Sequence, residues 1–198
     1  MDYYYSKNPQ VSSNESTIKA HLRGNEWTFV SDAGVFSKKG IDFGSRLLVE
    51  TIQITNGESL LDLGCGYGVV GIVLAYETPA GRILMTDINE RAISLARKNC
   101  IINLVRNANQ LVSDGFEQVP RTPFHHIALN PPIRAGKAKI YSMFEDSVQF
   151  LDEKGSFWIV MHKKHGAMSA VKKLESMYKT VEIVNKESGY QIIKATNG

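Results

Sequence analysis

Residues 59–68 read Ser-Leu-Leu-Asp-Leu-Gly-Cys-Gly-Tyr-Gly, which predicts a short apolar strand that runs into a glycine loop. Val69 begins an apolar run that predicts a buried helix directly behind the loop. Alternate glycines let the backbone approach a ligand closely, and a helix N-terminus presents free N–H groups to a carboxylate or phosphate. The order of strand, loop and helix therefore predicts a nucleotide-type pocket.

The spacing of the glycines favours a single adenosine ligand over a dinucleotide. The dinucleotide fingerprint G-x-G-x-x-G/A, counted from Gly64, requires glycine or alanine where this chain has Val69. Residues 82–86 predict the second strand, and Asp87 follows it, within reach of a ribose in such a unit. The alternative for Asp87 is a solvated loop acid, and Asn89 is predicted to cap the next helix.

A second motif, Asn130-Pro131-Pro132-Ile133, follows an apolar run that predicts a buried strand ending in a loop. Proline lacks a backbone N–H and has a fixed φ, so the two prolines hold the carbonyls here in extended backbone. The Asn130 side-chain oxygen and the Pro131 carbonyl can then accept both N–H groups of a planar amine whose nitrogen faces an electrophile. For this motif alone, an ordinary strand-terminating turn is the alternative.

Predicted strands and helices alternate after the glycine loop, which is typical of a parallel sheet covered on both faces. Strands are predicted at 59–63, 82–86, 109–112, 125–130, 155–161, 180–185 and 189–195, the last two as an antiparallel hairpin. Helices are predicted at 42–54, 69–75, 137–151 and 166–178, and after Asp87, where the apolar stripe is Ala92, Ala96, Cys100 and Leu104. We therefore predict an α/β fold: a Rossmann-like, seven-stranded, mostly parallel sheet with helices on both faces and a C-terminal antiparallel hairpin.

Length and composition predict one domain. The 198 residues are 43% hydrophobic, enough for a full core, and no linker or internal repeat divides them. We expect residues 1–55 to form an N-terminal extension with a hairpin, at 17–22 and 26–30, and a helix. Residues 56–198 are expected to form the Rossmann-like core.

Several classes of protein are not indicated. Residues 1–5 lack the basic and apolar pattern of an export signal, and no apolar stretch approaches a membrane span in length. Cys65 and Cys100 are the only cysteines, so neither a disulfide framework nor a zinc site is predicted, and a reducing cytoplasm is the expected location. His162 and His165 lack companions for a metal site. We expect no metal and no membrane, and the sequence does not indicate an oligomeric state.

Taken together, these motifs resemble the class I S-adenosylmethionine-dependent methyltransferases, and within them the small-domain methyltransferases related to the ribosomal RNA guanine methyltransferases. The similarity covers most of the chain, with motifs in the family's order at 34–37, 62–68, 86–89, 113–115 and 130–132. It implies S-adenosylmethionine as the cofactor and methyl transfer to an amine or amide nitrogen conjugated with a planar system. The family often has an aromatic residue after the prolines, where this chain has Ile133, a poorer stacking platform.

The resemblance also implies the roles of individual residues. The backbone around Asp62 is expected to hold the methionine end of the cofactor, Asp87 the ribose hydroxyls and Asp114 the adenine amino group. Asp114 has capping of the following turn as its alternative. Val35 and Phe36 are expected either over the cofactor or in the core. The predicted cofactor-binding residues are Asp62, Gly64, Cys65, Gly66, Gly68, Asp87, Ile88, Asp114 and Asn130.

Catalysis is expected to depend on Asn130, Pro131 and Pro132. The methyl group is already on a sulfonium, so the protein needs only to align the amine and stabilise the positive charge that develops on nitrogen. We predict no separate catalytic base.

RNA is the predicted substrate. The net charge is only +3, but cations follow the prolines and the next predicted strand, and both groups are expected at one edge of the sheet. Solvated charges are the alternative. The predicted substrate-binding residues are Ile133, Arg134, Lys137, Lys163 and Lys164.

The resemblance favours the exocyclic amine of guanine in ribosomal RNA as the target. Adenine and a protein glutamine are alternatives, because similar Asn-Pro-Pro loops act on them. A non-catalytic, cofactor-binding RNA interaction protein is an alternative of a different class.

Overall fold

The fold was analysed in a computed structural model that describes Lys7 and residues 9–198. Residues 1–5, considered above for an export signal, lie outside this described part. Before the sheet come an antiparallel hairpin of β1 (Ser16–Leu22) and β2 (Asn25–Ser31), and helix α1 (Phe43–Thr51). The division of the chain between residues 55 and 56 stays a prediction.

The central sheet has seven strands. They are β3 (Leu60–Leu63), β4 (Ile83–Asp87), β5 (Ala108–Val112), β6 (Phe124–Leu129), β7 (Leu151–His162), β8 (Thr180–Glu187) and β9 (Tyr190–Thr196), in the spatial order β5-β4-β3-β6-β7-β9-β8. Strands β3 to β7 pair in parallel, whereas β9 pairs antiparallel with both β7 and β8. The predicted α/β class, sheet and terminal hairpin are therefore confirmed.

The remaining helices are α2 (Val69–Glu77), α3 (Glu90–Ile102), α4 (Lys137–Ser147) and α5 (Ala167–Glu175), with short 3-10 helices at Ile133–Ala135 and Lys163–His165. Alternate residues of the strands pack into two separate cores. Leu60 faces the core under α1, α2 and α3, whereas Leu61 faces the core under α4 and α5. Helices thus cover both faces of the sheet, as the strand pattern predicted.

Strand β3 lies between β4 and β6, and it pairs in parallel with both. After β3 the chain adds β4 and β5 on one side of this strand, and it then crosses over to add β6 and β7 on the other side. This reversal opens a crevice at the carboxyl ends of the strands, where ligands bind in open α/β sheets. The glycine loop, Asp87 and Asn130 all follow strands that end there.

Four predicted helices end earlier than expected, and two of them, α1 and α5, end three residues early, at Thr51 and Glu175. Ala92, Ala96 and Cys100 on α3 are buried, but Leu104 lies beyond the helix end, 80% exposed, with a φ of 57°. The predicted stripe is therefore wrong at Leu104, because the chain turns out of the helix before reaching it. The helix predicted at 137–151 ends at Ser147, and the chain reverses there so that Leu151 pairs with Phe124 at the start of β7.

Within the described residues, no helix has both the length and the apolar character needed to cross a membrane.

Candidate active site

One pocket opens at the crevice between the ends of β3, β4 and β6. It gathers residues from every sequence motif singled out above. Its lining includes Val35, Phe36, Asp42, Ser45, Asp62, Gly64, Cys65, Gly66, Asp87, Ile88, Asp114, Asn130, Pro131 and Pro132.

The glycine loop forms the floor between β3 and α2. Gly64, Gly66 and Gly68 have φ values of 73°, 54° and 96°, a backbone region that other residues adopt only with strain. A Cβ added at Gly64 or Gly66 would meet no atom within 4 Å, whereas one at Gly68 would lie 3.0 Å from the Ile72 side chain. The first two glycines thus leave open space beside the loop, and the third permits close packing on the helix.

Two carboxylates lie beside this loop, of which Asp62 is buried and Asp87 is partly buried. Asp62 accepts a hydrogen bond from the Gly71 N–H at 2.8 Å, and Asp87 accepts from the Gly66 and Asn89 N–H groups, both at 2.9 Å. Burial raises the pKa of Asp62 to about 7 and that of Asp87 to about 6. Asp87 is therefore not a solvated loop acid.

Asn89 caps helix α3, as predicted. Its side-chain oxygen accepts hydrogen bonds from the N–H groups of Arg91 and Ala92, at 2.9 and 3.2 Å. Its amide donates to the Gly34 carbonyl at 2.8 Å. The cap thereby connects the end of β4 to the segment that brings Val35 and Phe36 into the pocket wall.

Asp114 lies at the far end of the pocket, where its carboxylate forms an ion pair with Lys139 at 2.6 Å. The side chain that bonds the following turn is that of Ser113, which accepts from the Gln118 N–H at 3.0 Å. The structure thus places Asp114 on the pocket wall.

The orientation of Asn130 is defined by two partners from α1. Its amide nitrogen donates to Asp42 Oδ2 at 3.0 Å and to the Ser45 hydroxyl at 2.9 Å. Both amide hydrogens are used in these bonds. Because a carboxylate can only accept, they identify which end of the amide is the nitrogen, and they leave the Asn130 side-chain oxygen as an acceptor.

Asp42 and Ser45 were missed in the sequence analysis, which placed a helix start at Asp42 without giving it a role. Asp42 is the N-cap of α1 and accepts from the Ser45 N–H at 3.1 Å. A cap of this kind is visible in sequence, because aspartate favours this position. The bond to Asn130 is not, because 88 residues separate the two along the chain.

The predicted substrate-binding residues fall into two groups, and none of them belongs to the pocket lining. Arg134 lies in the 3-10 helix after the prolines, and exposed Lys163 and Lys164 lie in the 3-10 helix after β7. Strands β6 and β7 are neighbours, so both groups share one edge of the sheet. Lys137 stands over the Tyr141 ring at 5.0 Å, and Ile133 packs on the core under α4 and α5.

Among the residues that the structure describes, no group of three or more His, Cys, Asp and Glu side chains could hold a metal ion. Cys65 and Cys100 are both free thiols.

The sequence matches a known protein family. A family model described as methyltransferase small domain matches residues 26–194. The chain belongs to the methyltransferase small domain family. As a member, it is an S-adenosylmethionine-dependent methyltransferase, and the predicted family and cofactor are confirmed.

Among the relatives of this methyltransferase, the uncharacterized protein YbxB of Bacillus subtilis (strain 168) is 45% identical over 196 residues, 98% of each chain. The solved structure of T. thermophilus RsmC, a 16S rRNA N2-guanine methyltransferase in complex with AdoMet and guanosine, has a TM-score of 0.84 at 25% identity. That match covers 96% of this chain but only 52% of RsmC. Precorrin-6y C5,15-methyltransferase from Geobacter metallireducens GS-15 has a TM-score of 0.69 at 17% identity over 86% of this chain and 94% of its own, which shows the shared fold alone.

Proposed function

We propose that this methyltransferase methylates the exocyclic amino nitrogen of a base in RNA, and that the base is guanine of ribosomal RNA. The observation that carries the proposal is the orientation of Asn130. Asp42 and Ser45 occupy both of its amide hydrogens, so the amide presents an oxygen, which is what an NH₂ group requires.

The pocket residues fit S-adenosylmethionine. Asp62 and Asp87 both line the pocket and have raised pKa values, so each carboxylate is stabilised by a cation or a hydrogen-bond donor of a bound ligand. The cofactor carries both a sulfonium and an ammonium. We assign the Asp87 carboxylate to the ribose hydroxyls and the backbone at Asp62 and Gly64 to the methionine end. Cys65, Gly66 and Ile88 line this site, whereas Gly68 packs behind the loop, and Asp114 is assigned to the adenine amino group.

When bound, S-adenosylmethionine supplies a methyl group already activated as part of a sulfonium. The Asn130 oxygen and the Pro131 carbonyl hold the two N–H groups of the target amine and point its lone pair at that methyl group. Both oxygens stabilise the positive charge that develops on nitrogen. Pro132 holds the Pro131 carbonyl in place because the residue before a proline favours extended backbone.

RNA is the proposed partner because cations follow two neighbouring parallel strands, at the edge of the sheet where the pocket opens. Arg134, Lys137, Lys163 and Lys164 are assigned to phosphates, and Ile133 to apolar contact with the base. The match to RsmC, which acts on guanine of 16S rRNA, supports this assignment. A reducing cytoplasm, where two free thiols persist, is part of the proposal.

Methyl transfer from labelled S-adenosylmethionine tests the proposal directly. Undermodified ribosomal RNA, ribosomal particles and release factors serve as acceptors in parallel reactions. We expect label in RNA, and nucleoside mass spectrometry should find it on an exocyclic amine of guanine. Label on a ribose hydroxyl, a ring carbon or a glutamine side chain would refute the assignment, and no turnover on any acceptor would favour a non-catalytic binding protein.

The first prediction concerns the salt dependence of RNA binding. Each neutralised phosphate releases condensed counterions, so the double substitution Lys163→Ala/Lys164→Ala should lower the log-log salt slope by roughly 1 to 2. Binding of S-adenosylmethionine should not change. The matched control is Lys154→Ala/Lys179→Ala, two exposed lysines near the opposite edge of the sheet. If both double variants have the same log-log salt slope for RNA binding, Lys163 and Lys164 do not contact RNA phosphates.

The second prediction separates helix capping from the orientation of Asn130. Asp42→Ser keeps an N-cap side chain for α1 but is too short to reach Asn130, so turnover should fall by about 10-fold, as expected for a lost hydrogen bond to a charged group. Asp42→Asn retains both an acceptor and a cap and should keep most of the rate. Stopped-flow or discontinuous methyl-transfer assays give the rates, and calorimetry gives the cofactor affinity, which should not change. Equal rates for the two variants would show that Asp42 acts only as a cap.

A further inference from the structure

Three aromatic side chains from separate parts of the chain meet beside the pocket. The Tyr190 ring lies 5.3 Å from that of Phe43 and 4.9 Å from that of His162, in a tilted and an edge-on arrangement. All three side chains are partly exposed. Rings that serve only the core of this protein, such as Phe29 and Phe157, are completely buried. The cluster therefore keeps aromatic surface available to a ligand.

This aromatic cluster of Phe43, Tyr190 and His162 adjoins the group that holds Asn130. A Cβ added at Gly44 would lie 2.9 Å from Asp42 Oδ2 and 3.2 Å from Tyr190 Cε1. The carboxylate and the tyrosine ring thus approach the same point in space, and the same Asp42 oxygen accepts from Asn130. Asn130, Asp42 and Tyr190 form a continuous wall from the pocket to the cluster.

The tip of the C-terminal hairpin holds Tyr190 in place. Ser188 and Gly189 form its turn with φ values of 49° and 84°, and the Gly189 carbonyl accepts from the Lys163 N–H at 2.9 Å. A Cβ at Gly189 would lie 2.6 Å from His162 Nε2, so only glycine permits this contact. The antiparallel hairpin is thereby attached to the end of β7, next to the cations Lys163 and Lys164.

We propose that Phe43 and Tyr190 form a stacking subsite for the purine base whose amine Asn130 holds. This inference rests on the proposed function and deepens it. Bases stack on aromatic faces, and Ile133 provides no such face at the position after the prolines. The cluster supplies aromatic surface from the other face of the sheet, because Phe43 and Tyr190 pack on the core under α1, whereas Ile133 packs on the core under α4 and α5. The neighbouring lysines, Lys163 and Lys164, are assigned to the phosphates of the same nucleotide.

Binding of guanosine in the presence of S-adenosylhomocysteine tests the subsite. Phe43→Leu and Tyr190→Leu keep apolar volume but remove the ring faces, so guanosine should bind roughly 5- to 100-fold more weakly. The kcat/KM for ribosomal RNA should fall by a similar factor. Tyr76→Leu is the matched control, because this tyrosine is 58% exposed on α2 and its ring contacts only that of Trp27 among the described aromatic pairs. Unchanged affinity for S-adenosylhomocysteine will show that each variant is folded.

The outcomes distinguish the subsite from the proposed function. The subsite is wrong if guanosine binds both leucine variants as tightly as the Tyr76→Leu control, or if it does not bind the wild-type protein. It is wrong in these cases even where the wild-type protein methylates RNA. If the wild-type protein labels only a protein substrate, the proposed function fails, whereas selective loss of guanosine binding in the variants still supports a purine subsite.

Discussion

Replacing Asn130 by alanine is expected to lower turnover by at least about 100-fold, the usual scale for removing a group that stabilises a transition state. The affinity for S-adenosylmethionine should stay nearly the same. The reason is the geometry of the amide, whose nitrogen is committed to Asp42 and Ser45 and whose oxygen is left for the target amine. The substitution removes an acceptor from the reacting nitrogen and a donor from Asp42, but it leaves the hydrogen bonds of Asp62 and Asp87 in place.

Rate and affinity must be measured separately for this prediction. Single-turnover methyl transfer on the true substrate reports the chemical step, and calorimetry reports the cofactor. Asn109→Ala is a suitable control, because Asn109 is exposed on the edge strand β5. Turnover at the wild-type rate in Asn130→Ala would reduce Asn130 to a turn residue, and the case for an amine target would fail with it.

Substitution of Asp87 is expected to have the second large effect. Asp87→Ala should weaken S-adenosylmethionine binding by about 1 to 3 kcal/mol, as expected when a buried, charge-assisted hydrogen bond is lost. The same carboxylate also accepts from the Gly66 N–H, so its removal loosens the glycine loop. Calorimetry with S-adenosylmethionine and with NADH tests both the contribution of Asp87 to cofactor affinity and the preference of the pocket for a single adenosine ligand over a dinucleotide. Equal binding of NADH, or no effect of the substitution, would contradict the assigned site.

The pH dependence of cofactor binding follows from the same carboxylate. Burial raises the pKa of Asp87 to about 6, and only the ionised form accepts hydrogen bonds through both oxygens. Affinity should therefore decline as the pH falls through that pKa, by up to about tenfold per pH unit for one proton. Burial also raises the pKa of Asp62, to about 7, so Asp87→Asn should make the decline shallower without abolishing it. An unchanged acid-side slope would exclude Asp87 as the titrating group.

Much of this fold is encoded locally, which explains how far the sequence could predict it. The strand, glycine loop and helix at 59–75 depend on neighbouring residues, and the capping role of Asn89 depends on the N–H groups two and three residues later. Leu104 was misplaced because an apolar residue at helical spacing carries no information about where the helix ends. An 80% exposed leucine beyond the last turn shows that tertiary context overrode the pattern.

The contacts that the sequence did not predict are those between segments that lie far apart along the chain. Asp42 reaches Asn130 across 88 residues, and Phe43, His162 and Tyr190 meet only because β9 runs antiparallel beside β7. No local pattern encodes such contacts, since each residue on its own has a sufficient role as a cap, a strand end or a turn. The sequence therefore predicted the glycine-loop side of the pocket but not the contacts that hold Asn130.

Because Asp42 both caps helix α1 and holds the Asn130 amide, local unfolding of the first turn of α1 also releases Asn130. One oxygen of its carboxylate accepts both from the Ser45 N–H, closing the first turn of α1, and from the Asn130 amide. Helix ends open far more often than whole domains unfold. Each time this turn opens, Asn130 loses its restraint and its amide is free to rotate. We therefore expect the fraction of molecules competent for the proposed methyl transfer to depend on fraying of this one helix end, and to fall on warming before the sheet unfolds.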